Sequence, residues 1–478
     1  MGISPQAASA AVGGASRRRR LLGALAGAGL GGLLWALPTP AGLTATGHAV
    51  IAVLALTVVF WVCGVLGNAV TGLLMLGLML LAGVQPQHAL GAYASAPFWT
   101  LLVVLFYGFA MQSTGLARRL SFLLLSRFPP TYKGLLAAFF VIGLILSLGI
   151  PSMTVRTAIL VPIAWALAQA IGLRPGSRGC SLFLLSVVEM AVIPGCATLY
   201  GSLWGPVMVQ LFATQGYTLE WLAYARAFAL PTLLWSALLL VGNWVALRPE
   251  GELPVDREFS RRELARMGRV SRDELLTAAV IGLSVLYWVA EQWHHQPPYV
   301  VGLFGLVAFA AFGILKESDF GGAVSWPFVL FLGAVYALPV MIQQNGVSDW
   351  LGRFIVPLIQ TVSGNALALV LALAVGMLLL KFTDPAGFLA MTVLFLPVSA
   401  ILRQGPLSPL VIMAPLLFAG HPFWAVYQNF WIAMLEGMTD GQGCTPAHRL
   451  RLANVYAVVT LLALALSVPY WWALGLLG

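Results

Sequence analysis

Runs of about twenty consecutive apolar residues recur along this chain, and a run of that length crosses the hydrocarbon core of a bilayer as an α-helix. A soluble core cannot cover so many of them. The charge count agrees: of 478 residues 60% are hydrophobic and 9% charged, where a soluble domain carries roughly 25% charged residues. Such a chain cannot clothe a water-facing surface, and its apolar content excludes intrinsic disorder. Strands of an outer-membrane barrel alternate apolar and polar residues over about ten positions, which these unbroken runs do not. The fold class is therefore all-α and integral to a membrane, with the lipid bilayer as its first partner.

The net charge of +9 is assigned to cytoplasmic loops, where Lys and Arg hold topology, rather than to nucleic acid. Lys133, Lys316 and Lys381 are the only lysines. That bias toward arginine points to a GC-rich bacterial source, hence a bacterial inner membrane. Cys63, Cys180, Cys196 and Cys444 form no CxxC pair and are read as free thiols without a metal.

Residues 1–20 end in four arginines and form a cytoplasmic arm, and 21–37 are read as a first span rather than a cleaved signal peptide. Two spans share 48–84, parted at 64–68, and 98–116 is the fourth. Arg118, Arg119, Arg127 and Lys133 then mark a cytoplasmic loop. Residues 135–171 are broken near Gly149-Ile150-Pro151 and carry positive charge at both ends, so they are expected to form a re-entrant hairpin. Non-helical backbone at that depth is tolerated only inside protein or beside a water-filled cavity. The next run, 182–212, is broken at Pro194-Gly195 and expected to break again at Gly205-Pro206. A span over 221–247 follows. Residues 248–274 hold seven arginines and seven acidic residues and read as a solvated, partly helical cytoplasmic linker. Spans at 275–293, 299–315 and 328–344 come next. A second hairpin over 367–402 is interrupted at 383–387, a run over 407–438 is broken near Pro422, and 453–477 closes the chain. The expectation is about eleven transmembrane helices plus two re-entrant hairpins, with the N-terminus cytoplasmic and the C-terminus outside.

The two halves repeat. Ser95-Ala96-Pro97-Phe98 and Ser325-Trp326-Pro327-Phe328 each open a span that reaches Tyr107 or Tyr336, Gln112 or Gln343, then Gly115 or Gly346, about 230 residues apart. The hairpins repeat at a similar offset, and a broken span follows each. The matched spans are an odd number of crossings apart, so the repeat is inverted. Matching interrupted helices in the two halves point to a central binding site.

Residues Gly149-Ile150-Pro151-Ser152-Met153-Thr154-Val155-Arg156, running on to Pro162, resemble the first hairpin signature of the divalent anion/sodium symporters. Those carriers of dicarboxylates, citrate or sulfate place a Ser-Asn-Thr tip ten residues before a proline, and Ser152 stands ten before Pro162. The order of elements matches the family from about residue 48 to the end. The resemblance implies an elevator-type carrier, a homodimer, in which hairpins and broken spans move against a scaffold, with sodium as the usual coupling ion. By position it implicates Ser152 and Thr154, the break carrying Gly195 and Thr198, the tip from Thr383 to Gly387, and the break at Tyr427-Gln428-Asn429. Met153 replaces the tip asparagine, and the second Ser-Asn-Thr is absent.

The residues also speak on their own. Charge at membrane depth is costly and defaults to a functional role. Arg156 stands one helical turn past Ser152, so both can face one site. It is suited to grip a carboxylate or sulfate in bidentate fashion, or to pair with a buried carboxylate such as Glu189. Helix N-termini at the two tips add positive potential. Glu189 and Asp384 are candidate proton carriers in place of sodium, and Asp384 can equally pair with Lys381. Na+ and H+ both stand as coupling ions. Glu436, Asp440 and His448 read as interfacial, His294-His295 as a solvated loop pair, and the glycines over 23–32 as a helix-packing stripe.

These readings divide the chain into an arm (1–20), first-half scaffold (21–132), first transport unit (133–214), a scaffold span (215–247), linker (248–274), second-half scaffold (275–364), second transport unit (365–440) and a C-terminal span (441–478). No catalytic set, nucleotide motif or metal cluster occurs, so no enzyme is expected. The expected substrate-binding residues are Ser152, Thr154, Arg156, Thr198, Thr383, Gln428 and Asn429. The expected ion-coupling residues are Ser152, Glu189, Gly195, Asp384 and Gly387. The function expected is secondary active transport of a small anion of the dicarboxylate, tricarboxylate or sulfate class by alternating access, with an exchanger, exporter or uniporter on the same fold, or a non-transporting membrane sensor, as the alternative.

Overall fold

A computed structural model describes residues 17–478 apart from 151, 252–257, 363, 385, 403–406 and 478. The arm is thus seen from Arg17 onward, while Pro151, Pro385 and part of the linker lie outside the described residues. Every regular element among the described residues is helical.

The first half opens with α1 (Arg17–Ala36), α2 (Ala45–Cys63), α3 (Asn68–Leu81), α4 (Ala96–Ser113) and α5 (Leu116–Leu125). Next come α6 (Tyr132–Gly149), α7 (Met153–Ala170), α8 (Arg178–Val192), a 3-10 segment (Ile193–Ala197), α9 (Trp204–Thr214) and α10 (Trp221–Ala246). The linker holds α11 (Glu258–Arg266). The second half runs through α12 (Arg272–Val289), α13 (Pro298–Ala311), α14 (Trp326–Gln344), α15 (Val347–Gln360), α16 (Ala366–Leu380) and α17 (Phe388–Leu402). It ends with α18 (Pro409–Phe418), a 3-10 turn (Val426–Gln428), α19 (Phe430–Met438) and α20 (Pro446–Ala473). Eight of these, counting α8 and its 3-10 segment as one, are long and apolar enough to cross a membrane, with both helices of the expected first hairpin among them.

The expected breaks fall where the backbone chemistry demands them. Gly64 takes a left-handed φ of 60° and returns its N–H to the last carbonyls of α2. Ser95 and Ser325 sit at the N-cap positions of α4 and α14, each with a proline in the first turn. Gly115 (φ +85°) and Gly346 (φ +74°) then turn the chain from these helices into the short α5 and α15. The two halves therefore correspond element by element: α4 with α14, α5 with α15, hairpin α6–α7 with α16–α17, broken span α8–α9 with α18–α19, and α10 with α20. One expected break is absent. Gly205 and Pro206 lie in the first turn of α9, where a missing proline N–H costs no helical bond; the interruption ends at Leu203.

Packing sets the layers. Every residue of α8 from Gly179 to Val192 is buried, as is α18 from Val411 to Phe418, so the two broken spans form the centre. A helix apolar all round belongs in such a place. The α10 helix packs chiefly on α20 and on the 3-10 segment of the first break, which ties it to the centre. Outward faces carry Leu25, Leu33, Val241, Val245, Leu283, Phe304, Val458 and Leu462, an apolar coat suited to lipid. On α1, Gly23, Gly27 and Gly31 are buried against Cys63, Phe60 and Leu56 of α2, the close approach that small residues permit in lipid.

The linker is docked rather than freely solvated. Arg119 of α5 binds Glu274 at 2.7 Å and donates to the carbonyls of Met267, Gly268 and Arg269. Arg118 binds Glu263 of α11 at 2.9 Å.

Candidate anion and coupling-ion site

The first tip joins α6 to α7. Ser152 is buried, and its Oγ caps α7 by accepting from the Val155 N–H at 3.3 Å. Thr154 is half-buried in the first turn. Arg156 is fully buried, and its guanidinium is turned onto backbone carbonyls. Nε donates to Ala191 at 2.6 Å, Nη1 to Gly201 at 2.8 Å and to Ile150, and Nη2 to Val192 at 3.4 Å. Four of the five guanidinium N–H groups thus bind the end of α8, the tip and the far side of the break. Of the two readings open for Arg156, pairing with Glu189 does not occur: these bonds all go to backbone carbonyls. The open carbonyls where α8 ends supply a ready acceptor set for a cation.

The first break depends on its glycines. A methyl group on Gly195 would lie 2.4 Å from Arg156 Nη2 and 2.3 Å from the Gly201 carbonyl oxygen, and one on Gly205 would lie 1.6 Å from the Leu199 oxygen. Thr198 is half-buried and accepts from the Gly201 N–H at 3.1 Å.

The second tip spans the turn from Lys381 to Gly387. Lys381 and Asp384 are buried; Thr383 is exposed and donates to Leu380, the last residue of α16, at 2.9 Å. Asp384 Oδ2 accepts from the Ala390 N–H at 2.8 Å, capping α17 as Ser152 caps α7. Lys381 Nζ reaches the carbonyl of Gln428 at 3.2 Å, joining the second tip to the second break. Gln428 is fully buried; its Oε1 accepts from Ala425, and its Nε2 has no partner. Asn429 donates from Nδ2 to the Pro422 carbonyl.

Trp204, the first residue of α9, brings the halves together. Its ring lies 5.0 Å from Phe388 and 5.2 Å from His421. Methyl groups on Gly387 and Gly420 would come within 2.5 Å and 2.8 Å of its Cη2. Gly387 has a left-handed φ of +79°, so glycine serves both the turn and the indole.

Of the expected site residues, the structure gathers Ser152, Arg156 and Gly195 at the first tip and break. It gathers Asp384, Gly387, Gln428 and Asn429 at the second. Thr383 faces outward. Glu189 stands apart from Arg156, beside Asn243 of α10. Three residues escaped the sequence reading: Trp204, Asn243 and His421. His421 is buried, bonds Leu417 O through Nδ1 at 3.1 Å and leaves Nε2 without a partner. Asn243 and His421 carried a usable signal, each being a lone polar residue in an apolar run.

The profile described as the sodium:sulfate symporter transmembrane region matches residues 20–428. Among relatives, a membrane protein of Cupriavidus necator is 26% identical over 402 residues, covering 77% of this chain and 76% of its own. Chloroplastic dicarboxylate transporter 1 of Arabidopsis thaliana is 24% identical over 405 residues, covering 82% and 72%. The sodium-dependent dicarboxylate transporter SdcS of Staphylococcus saprophyticus is 23% identical over 438 residues, covering 84% and 82%. The YdaH transporter of Alcanivorax borkumensis shares the fold, with a TM-score of 0.54 over 99% of each chain at 14% identity. A profile match over most of the chain agrees with the hairpin signature and the order of elements: this chain belongs to the sodium:sulfate symporter family of multi-pass membrane transporters.

Proposed function

We propose that this chain is a secondary active carrier of a small dicarboxylate-class anion, held between the two hairpin tips and the two breaks. The observation that carries the reading is the bond from Lys381 to the Gln428 carbonyl. It brings a buried cation to the junction of tip and break, where an anion needs a counter-charge. The N-termini of α7 and α17 add positive potential at the two tips. Two relatives named above carry "dicarboxylate transporter" in their names.

Transport proceeds by alternating access of the elevator type. Hairpins and broken spans move as one unit, and α10 and α20 travel with them because they pack on α8, α18 and the first break. The scaffold comprises α2 to α5 and α12 to α15. The repeat is inverted, the carrier works as a homodimer in a bacterial inner membrane, and the N-terminus is cytoplasmic with the C-terminus outside. Arg156 acts as the strut of the first break. Ser152, Thr154, Thr198, Gln428 and Asn429 contact the anion once the site opens. The coupling ion is sodium or a proton.

A thermal-shift screen tests the reading, since a ligand that binds the folded state raises its stability. Succinate, malate, citrate and sulfate are added to the purified protein with and without sodium. A dicarboxylate is expected to raise the melting temperature. Stabilisation by none of the four would count against the reading.

A further inference from the structure

Away from the tips and breaks, a buried cluster among the described residues is short of a hydrogen. Glu189 stands in the last turn of α8 and is fully buried. Its Oε2 accepts from Asn243 Nδ2, which also donates to Ser186 Oγ at 3.1 Å. Glu189 Oε1 and Asn243 Oδ1, both buried, have no hydrogen-bond partner. An ionised carboxylate and an amide oxygen only accept. Turning the Asn243 amide over exchanges its oxygen and nitrogen but adds no hydrogen to the count. Buried acceptors without donors are costly, and a buried charge without a partner more so. Glu189 also lies at the negative end of α8, where a carboxylate is disfavoured. A proton on Glu189 supplies the missing donor and removes the charge.

Among the described residues, the surrounding helices bring no cation to replace it. From α7, Arg156 is committed to the carbonyls of Ala191, Val192, Gly201 and Ile150. From α20 comes Tyr456, whose hydroxyl is bonded by the His421 N–H and donates to Phe418 O; His448 on the same helix bonds Ser181, two turns earlier on α8. Tyr224 of α10 donates to the Cys196 carbonyl at 2.8 Å. Lys133 of α6 lies over the Trp244 ring, and Glu436 of α19 faces Arg449. Asp384, the rival carboxylate, already receives the Ala390 N–H and lies in reach of Lys381.

We propose that Glu189 is the site at which the carrier binds its coupling proton, the acid hydroxyl donating to Asn243. This rests on the carrier reading above and names the ion left open there. The step is protonation alone: one H+ from the water on one side joins the carboxylate and departs to the other, and no other bond changes.

Two measurements test it on the full chain. In proteoliposomes, labelled succinate uptake is compared with and without an inward proton gradient, and with a sodium gradient. Wild-type uptake should rise several-fold with the proton gradient, and in Glu189→Gln the ratio should fall to about one. Should Glu189→Gln fail to fold, Asn243→Asp places a second carboxyl beside the first. A shared proton is then held more tightly, and the pH midpoint of proton-driven uptake moves up. A proton response kept by Glu189→Gln, an unmoved midpoint in Asn243→Asp, or uptake driven by sodium alone overturns the proposal. Sodium-only uptake would leave the carrier reading standing. If wild type moves no succinate, the infrared difference spectrum between wild type and Glu189→Gln at neutral pH decides. A carboxylic-acid carbonyl band in wild type supports the proposal, and its absence overturns it.

Discussion

The Arg156 guanidinium lies 2.8 Å from the carbonyl oxygen of Gly201, so a residue of the first hairpin helix closes the turn beyond the first break. The same side chain binds the end of α8. Lysine carries one ammonium on a flexible stem and cannot span these acceptors as a planar fork does. Arg156→Lys should therefore cost about 3 kcal/mol, the loss of two or so charged hydrogen bonds. Denaturation of the purified variant checks this, and uptake should fall with stability.

Gly195 is the space Arg156 needs. Gly195→Ala puts a methyl group against both Arg156 Nη2 and the Gly201 oxygen. Because backbone cannot yield cheaply, the variant should lose on the order of 3 kcal/mol. Gly77→Ala, in a helix with nothing within 4 Å of the added carbon, is the control and should melt with wild type.

The glycine stripe of α1 makes a paired prediction. Leucine at Gly27 collides with Phe60, while the neighbouring Gly29 opens onto free space. Gly27→Leu should loosen α1 from α2 and lower stability by about 1–3 kcal/mol; Gly29→Leu should not. Cysteine crosslinking between α1 and α2, read alongside melting temperature, separates the two.

Docking of the linker should depend on acid pH. Burial alone would push the Glu274 carboxyl up, but Arg119 and the Ser271 N–H and hydroxyl outweigh it and hold it below the usual carboxylate range. A lowered folded value means the contribution is fully present above the unfolded carboxylate value, about 4.3. It is lost as pH falls through the lower folded one. Protease cleavage of the linker should therefore stay slow from neutral pH to about 4 and speed up below that. Arg119→Ala should be cleaved quickly at neutral pH.

Much of this architecture was legible because lipid imposes a simple code. Apolar runs located the helices, and the break at Pro194-Gly195 followed from a backbone that cannot continue a helix; Gly115 and Gly346 entered only as matched positions of the repeat, and their turns came from the structure. Gly205-Pro206 misled because a proline at the start of a helix looks the same as one that ends it. The site was less legible. Arg156 and Glu189 are opposite charges in consecutive apolar elements, and pattern alone invites pairing them. Burial direction sends one to the open carbonyls of α8 and the other to Asn243, 54 residues later. Trp204 was invisible as a bridge because its partners, Gly387 and His421, lie in the other half of the chain.

If the buried Lys381 ammonium at the second tip holds a small anion for transport, removing its charge must slow that transport. The most direct measurement is uptake of labelled succinate into proteoliposomes by wild type and Lys381→Met. Uptake should saturate and be competed away by unlabelled malate, and it should fall at least about tenfold in Lys381→Met, the loss of one charged contact of about 1.4 kcal/mol or more. Wild-type uptake that does not saturate, or an unchanged rate in Lys381→Met, would contradict it.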